Sequence, residues 1–114
     1  MGVYEMIESL LGSKNREFVL LFLYARNEGY AREIARFYET DLSQIQKQLE
    51  RLEIGNILIS KLIGKIRLYS LNPRYPFIKE LKALLEKVLY FYPEDERTKL
   101  TMIRKRPRRK GKPL

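Results

Sequence analysis

The chain has 114 residues, 45% of them apolar, which is enough for one domain with one modest core. It contains no cysteine and no histidine, which excludes disulfides and removes the usual zinc ligands and the commonest general base. The carboxylates fall at helical spacings typical of surface pairs with arginines. We therefore expect no enzyme, and no metal or cofactor.

The chain shows no sign of a membrane segment or a signal peptide. Its longest apolar run, Phe18 to Ala25, is far shorter than the roughly 20 residues that a membrane-spanning helix needs. The first eleven residues carry Glu5 and Glu8, where a signal peptide would carry basic residues. These features predict a cytoplasmic protein.

The net charge of +9 is concentrated at the C-terminal end. Residues 104–114 carry seven basic side chains and no acid, whereas the preceding part of the chain has 16 basic and 14 acidic residues. Such a segment is too charged to fold alone and predicts a flexible tail for an anionic partner. Its basic residues are Arg104, Lys105, Arg106, Arg108, Arg109, Lys110 and Lys112.

Two helices are predicted before residue 28. Ser13 is a suitable N-cap for the second, which runs from Lys14 to about Asn27 and is apolar on more than one side, as expected of the buried centre of a domain. The first is a short amphipathic helix that ends at Gly12. Its apolar positions are Val3, Ile7, Leu10 and Leu11.

A helix-turn-helix is predicted next. Ala31 to Tyr38 form its first helix, Glu39 to Asp41 the turn, and Leu42 to Ile54 the second helix, capped by Thr40 or Asp41. The inner face of the second helix is fixed by three apolar residues at helical period, Ile45, Leu49 and Leu52. Its outer face then presents side chains that can bond to bases or phosphates, and these are Ser43, Gln44, Gln46, Lys47, Gln48 and Arg51. A solvated polar surface is the alternative.

A basic β-hairpin, or wing, is predicted to follow. Its strands are Ile57 to Ile63 and Ile66 to Leu71, joined by a turn at Gly64-Lys65. Lys61, Lys65 and Arg67 fall on or beside this turn, so we expect the wing to touch phosphate or the minor groove. Ordinary surface charge is the alternative.

A last helix is predicted from Phe77 to Tyr92, after the extended segment that ends at Pro76. Its apolar stripe is long for a small domain, so we expect the first and last helices to form a two-fold dimer interface, with simple packing of the last helix against the first as the alternative. The interface residues are Val3, Ile7, Leu10, Leu81, Leu84, Leu85, Val88, Leu89 and Phe91. We expect one domain over residues 1–92, and an acidic break followed by the flexible basic tail over residues 93–114.

The expected fold class is mainly α with a small β-hairpin (α+β): a winged helix-turn-helix with extra N- and C-terminal dimerisation helices. From about Lys14 to Leu89 the chain resembles prokaryotic winged helix-turn-helix transcriptional regulators of the arsenic-repressor-like (ArsR-like) group. The residues that carry the resemblance are Ile34-Ala35, Ile45, Leu49, Leu52 to Leu58, Gly64-Lys65 and Tyr69 to Pro73. In that register the family's base contacts fall on Ser43, Gln44, Gln46 and Lys47, and its wing contacts on Lys61, Lys65 and Arg67.

The chain departs from this family at two points. Glu39 lies in the turn where many relatives have glycine, and the cysteine and histidine ligands of metal-sensing members are absent. The resemblance thus implies double-stranded DNA as the partner, a homodimer and a role in transcription within the nucleoid, but no metal effector. It leaves open which operator is bound, whether transcription is repressed or activated, and whether a small molecule is sensed.

Two other functions are compatible with the sequence. The winged domain could be a non-specific RNA-binding or protein-interaction module, because fold does not settle function. The tail could tether the protein to an anionic membrane, although no hydrophobic anchor accompanies it.

Overall fold

The computed structural model describes residues 7–102, which form six helices and one three-stranded antiparallel sheet. The helices are α1 (Glu8–Leu11), α2 (Lys14–Arg26), α3 (Ala31–Tyr38), α4 (Leu42–Ile54), α5 (Ile78–Phe91) and α6 (Glu94–Met102). The strands are β1 (Gly29–Tyr30), β2 (Leu58–Ile63) and β3 (Ile66–Leu71), in the order β1-β3-β2. The predicted mainly α class with a small antiparallel sheet is confirmed.

Helix α2 lies at the centre of the domain, as its apolar sequence predicts. The Ser13 side chain caps it by accepting hydrogen bonds from the backbone N–H groups of Asn15 (3.1 Å) and Arg16 (3.3 Å). Every residue from Phe18 to Leu23 is buried, and α2 contacts all five other helices. The other helices are therefore positioned by one shared core.

A buried carboxylate fastens the start of the described chain and the residue after α5 to this central helix. Glu17 accepts hydrogen bonds from the backbone N–H of Ile7 (3.0 Å) and from the Tyr92 hydroxyl group. Val3, which we predicted in the first helix, lies outside the described residues. Helix α1 ends at Gly12, whose φ of +88° suits glycine, as predicted.

The turn between α3 and α4 shows how Glu39 is accommodated. Glu39 adopts the left-handed conformation, with a φ of +53°, and the next N–H, of Thr40, bonds to the Ala35 carbonyl at 3.0 Å. A side chain in this conformation costs about 1–2 kcal/mol. The turn thus keeps its geometry and carries strain.

We expect Glu39→Gly to increase the free energy of unfolding by about 1 kcal/mol, because glycine adopts a positive φ without steric cost. Urea denaturation monitored by circular dichroism measures the change. Glu39→Ala is the matched control, since it removes the carboxylate and keeps the strained Cβ. Equal stabilisation by alanine and glycine would show that the effect comes from removal of the carboxylate charge and not from relief of backbone strain.

The two predicted strands of the wing are confirmed, and the structure adds a third strand to them. Strands β2 and β3 pair from Leu58↔Leu71 to Ile63↔Ile66, and the turn between them begins at Gly64 with a φ of +63°. Strand β1 pairs with β3 through Gly29↔Tyr69. A Cβ atom at Gly29 would lie 2.7 Å from the ring of the buried Phe22, so any larger residue would displace this ring.

The acidic stretch follows the end of α5 at Phe91 and forms the first turn of a further helix, α6. Glu94, Asp95 and Glu96 lie at the N-terminus of the helix, where negative charge is stabilising. Leu100 is buried, and Arg26 of α2 bonds to the carbonyls of Leu100 and Lys99. The folded region therefore continues to Met102. The basic tail from Arg104 lies outside the described residues.

Candidate nucleic-acid interface

Helix α4 presents a polar face to solvent, as predicted. Asp41 caps the helix and accepts the backbone N–H of Ser43 at 3.2 Å, and Ile45, Leu49 and Leu52 are buried against the core. We define the outer face of α4 as the five exposed residues of this helix that we predicted to contact bases or phosphates. These are Ser43, Gln44, Gln46, Lys47 and Arg51.

One residue of the outer face is already engaged within the protein. The Ser43 hydroxyl donates to the second carboxylate oxygen of Asp41 at 3.0 Å. While this bond persists, the Ser43 hydroxyl can accept a hydrogen bond from a ligand but cannot donate one to it. The side chains of Gln44, Gln46 and Lys47 therefore offer the donors best suited to base edges.

Gln48, which we predicted on the outer face, belongs to the inner face. Its side chain is 5% exposed, and its Oε1 atom accepts a hydrogen bond from Arg16 Nε at 2.9 Å. The physical reason is its position, because residues 45, 48, 49 and 52 form the i, i+3, i+4, i+7 stripe of one helix face. Gln48 thus docks α4 onto α2 and is not placed to read a groove.

The wing, β2 and β3 with their turn, carries its three predicted cations at exposed positions. Arg67 pairs with Leu62, the neighbour of Lys61 in β2. Because paired residues share a face of the hairpin and successive residues lie on opposite faces, Lys61 and Arg67 lie on opposite faces. Lys65 lies in the turn itself. No acidic residue occurs between Asn56 and Pro73. The end of the wing is therefore positive on both faces.

A chain of hydrogen bonds couples the wing to the end of α4. Arg67 Nη1 donates to the Ser60 hydroxyl at 3.0 Å, and this hydroxyl donates to Glu53 Oε2 at 2.7 Å. Beside it, burial and then the Glu53 carboxylate raise the pKa of the Tyr69 phenol above its usual value. The angle between the outer face of α4 and the wing is thus held by polar contacts.

The sequence analysis did not single out two further basic residues beside this face, Arg32 and Arg36 of α3. Both are exposed, and their spacing of four residues places them on one side of the first helix of the helix-turn-helix. In DNA-binding helix-turn-helix proteins, the first helix of the motif crosses the phosphate backbone. The helical period that located the apolar residues of α3 would also have shown this basic stripe.

The predicted dimer interface is corrected at two positions. Leu85 and Val88 are buried in the core of their own domain, because this side of α5 packs against α2. Ile7, Leu81, Leu84 and Leu89 are partly buried against the same core. Of the predicted interface residues, Leu10 and Phe91 are largely exposed.

The exposed part of this predicted interface borders an apolar groove. The groove has a volume of about 410 Å³ and runs between α1, the C-terminal end of α4 and the start of α5. Leu10 and Phe77 line it and are largely exposed. Part of the exposed apolar surface of the monomer therefore lies beside this groove, on α1 and at the N-cap of α5.

Two classes of site were not found in residues 7–102. No helix in this range is long and apolar enough to cross a membrane. The same residues include no group of three or more acidic side chains arranged to hold a metal ion.

Two solved structures resemble this arrangement of helices and strands. The YusO protein from Bacillus subtilis matches with a TM-score of 0.53 and 23% sequence identity, over 89% of this chain and 77% of the other. ZitR from Lactococcus lactis, solved as a double mutant in its apo form, matches with a TM-score of 0.53 and 20% identity, over 90% and 92% of the two chains.

The chain has the winged-helix fold. Helices α3 and α4 are the helix-turn-helix of this winged-helix protein, and β2 and β3 are its wing. No protein-family model matches the sequence, and no curated protein matches it.

Proposed function

We propose that this winged-helix protein is a non-enzymatic transcriptional regulator that binds duplex DNA sequence-specifically as a homodimer in the cytoplasm. One observation carries the proposal: the exposed outer face of α4, rich in hydrogen-bonding side chains, lies beside a wing that has three cations and no acid. Base edges and phosphates are the ligands that such a pair of surfaces fits together. The residues between Lys14 and Leu89 that match the arsenic-repressor-like pattern, in the same order along the chain, support an assignment to that group.

In this mode of binding each element has its own role. Helix α4 enters the major groove, where Gln44 and Gln46 can bond to adenine edges and Lys47 to guanine or phosphate. Helix α3 crosses the backbone with Arg32 and Arg36, and the wing lies on the adjacent backbone and minor groove. Phosphate contacts position the protein, and contacts from the outer face of α4 select the sequence.

A homodimer is supported by the apolar surface that remains exposed on the monomer. Leu10, Phe77 and Phe91 are large, exposed apolar residues on α1, before the first turn of α5 and at the end of α5. Two-fold pairing through these helices would cover them and present two copies of α4 to one side of a duplex. The half-sites should then form an inverted repeat, with centres roughly 34–36 Å apart.

Removal of residues 104–114 should flatten the salt dependence of DNA binding and leave the preferred sequence unchanged. Each phosphate contact contributes about −0.9 to the slope of log affinity against log salt, so seven charges contribute up to about −6 per chain. Fluorescence anisotropy on one duplex at several salt concentrations gives the slope. Loss of sequence preference on truncation would show that the tail reads bases.

The alternative of an RNA-binding or protein-docking module is tested by direct competition. The full chain is mixed with a labelled duplex of its preferred sequence, and unlabelled duplex of related sequence, random-sequence duplex or structured RNA is added in excess. We expect the specific duplex to be displaced only by duplexes of related sequence. Stronger displacement by structured RNA would favour the RNA-binding module over the regulator.

A further inference from the structure

The end of the wing is apolar as well as basic. Leu62, Ile63 and Ile66 surround the Gly64-Lys65 turn, and 61%, 53% and 46% of their respective surfaces are exposed. Ile63 and Ile66 are the last cross-strand pair, so their side chains lie next to each other on one face of a narrow tip. Two large aliphatic side chains thus project at the point of the hairpin.

These tip residues do not hold the hairpin to the domain. The buried wing residues are Leu58 and Tyr69, farther from the tip, where α4 packs against β2 and β1 pairs with β3. Strand β2 is also an edge strand of the sheet, a position where proteins normally place charged residues to prevent unwanted pairing. Exposed clusters of large apolar side chains commonly mark a surface that binds a partner.

The charges around the tip indicate the chemistry of that partner. Lys61, Lys65 and Arg67 flank the apolar residues, and no acid lies between Asn56 and Pro73. A second copy of the wing carries the same three positive charges and would be repelled. Duplex DNA fits both the positive charge and the apolar side chains of the tip. Its phosphates are anionic, and its stacked bases offer apolar surfaces that can be reached through the minor groove.

We propose that the wing tip is an apolar wedge, with Ile63 and Ile66 inserted between base pairs from the minor groove so that the duplex is kinked. The inference rests on the proposed function and adds that this protein bends its DNA. Lys61, Lys65 and Arg67 hold the phosphates on either side of the opened step. Insertion replaces base stacking by contacts with aliphatic side chains and favours pyrimidine–purine steps, which unstack most easily.

The test compares the full chain with the double variant Ile63→Ser plus Ile66→Ser on an end-labelled duplex that contains TA and CA/TG steps. Energy transfer between the two ends reports the bend, and anisotropy reports the affinity. We expect the double variant to lose the bend and to bind about tenfold more weakly, because apolar burial is lost at each tip. Its salt slope should not change, because no charge is removed.

Two controls separate the wedge from general effects. Ile54→Ser removes another exposed isoleucine, 82% exposed at the end of α4, and should leave the bend intact. Lys65→Ala should reduce the salt slope by about 1 per chain and keep most of the bend. Equal melting temperatures of the variants show that each remains folded.

The outcomes that overturn the inference are distinct from failure of the proposed function. A wild-type protein that binds the duplex without bending it, or a double variant that bends it as well as wild type, overturns the wedge and leaves the regulator standing. A change in oligomeric mass at unaltered DNA affinity would identify the tip as a protein contact and also overturns the wedge. Absence of any duplex binding by wild type overturns both proposals.

Discussion

Replacing Arg26 by alanine is expected to reduce the free energy of unfolding by about 3–5 kcal/mol. The side chain is 4% exposed, and it donates from Nε to the Leu100 carbonyl (2.8 Å) and from Nη2 to the Lys99 carbonyl (3.2 Å). Its guanidinium also lies over the Phe22 ring, at 4.5 Å from the ring centre. Alanine would leave these carbonyls unsatisfied and open a cavity between α2 and α6.

Urea denaturation gives the difference between Arg26→Ala and wild type. Arg32→Ala is the matched control, because it removes an exposed arginine a few residues away and should change stability by less than about 0.5 kcal/mol. Arg26→Lys should recover only part of the loss, since an ammonium group cannot reproduce the planar fork of donors. Equal effects of Arg26→Ala and Arg32→Ala would mean that α6 is not anchored as described.

The second large effect is expected on DNA affinity, from the double substitution Gln44→Ala and Lys47→Ala. A good base contact contributes about 1–3 kcal/mol, and a dimer loses both contacts twice, so binding to the preferred sequence should fall by at least about 700-fold. Binding to random duplex should fall much less, because phosphate contacts from α3 and the wing remain. Both side chains are exposed, so stability should be nearly unchanged.

Anisotropy with the preferred duplex and with a scrambled duplex measures this ratio. Lys99→Ala is the control for loss of charge, since Lys99 is an exposed lysine on α6, which packs against α2. An equal loss of affinity for both duplexes would show that the outer face of α4 contacts phosphates and does not read bases.

The elements that sequence predicted best are those defined by strong local signals. Helix α4 has the predicted bounds, because Asp41 caps its start and Gly55-Asn56 ends it. The wing has the predicted turn because Gly64 supplies the positive φ that a two-residue hairpin requires. The exposed positions of Gln44, Gln46 and Lys47 followed directly from the helical period.

The errors concern features that depend on tertiary contacts. Gln48 is polar and was assigned to solvent, but Arg16 provides a partner that makes its burial favourable. Leu85 and Val88 were assigned to a dimer because the apolar stripe of α5 looked too long to be covered within one small domain, but this side of α5 packs against α2. Strand β1 has two residues and pairs with a strand about 40 positions away, so no local pattern could reveal it.

Selection of bound duplexes from a random DNA library tests the central claim most directly. It should be done at roughly 150 mM salt, with the full chain and, in parallel, with the chain that lacks residues 104–114 so that the basic tail does not mask weak preference. The account predicts an inverted repeat common to both proteins, with half-sites about one helical turn apart. No enriched sequence with either protein would contradict a sequence-reading dimer.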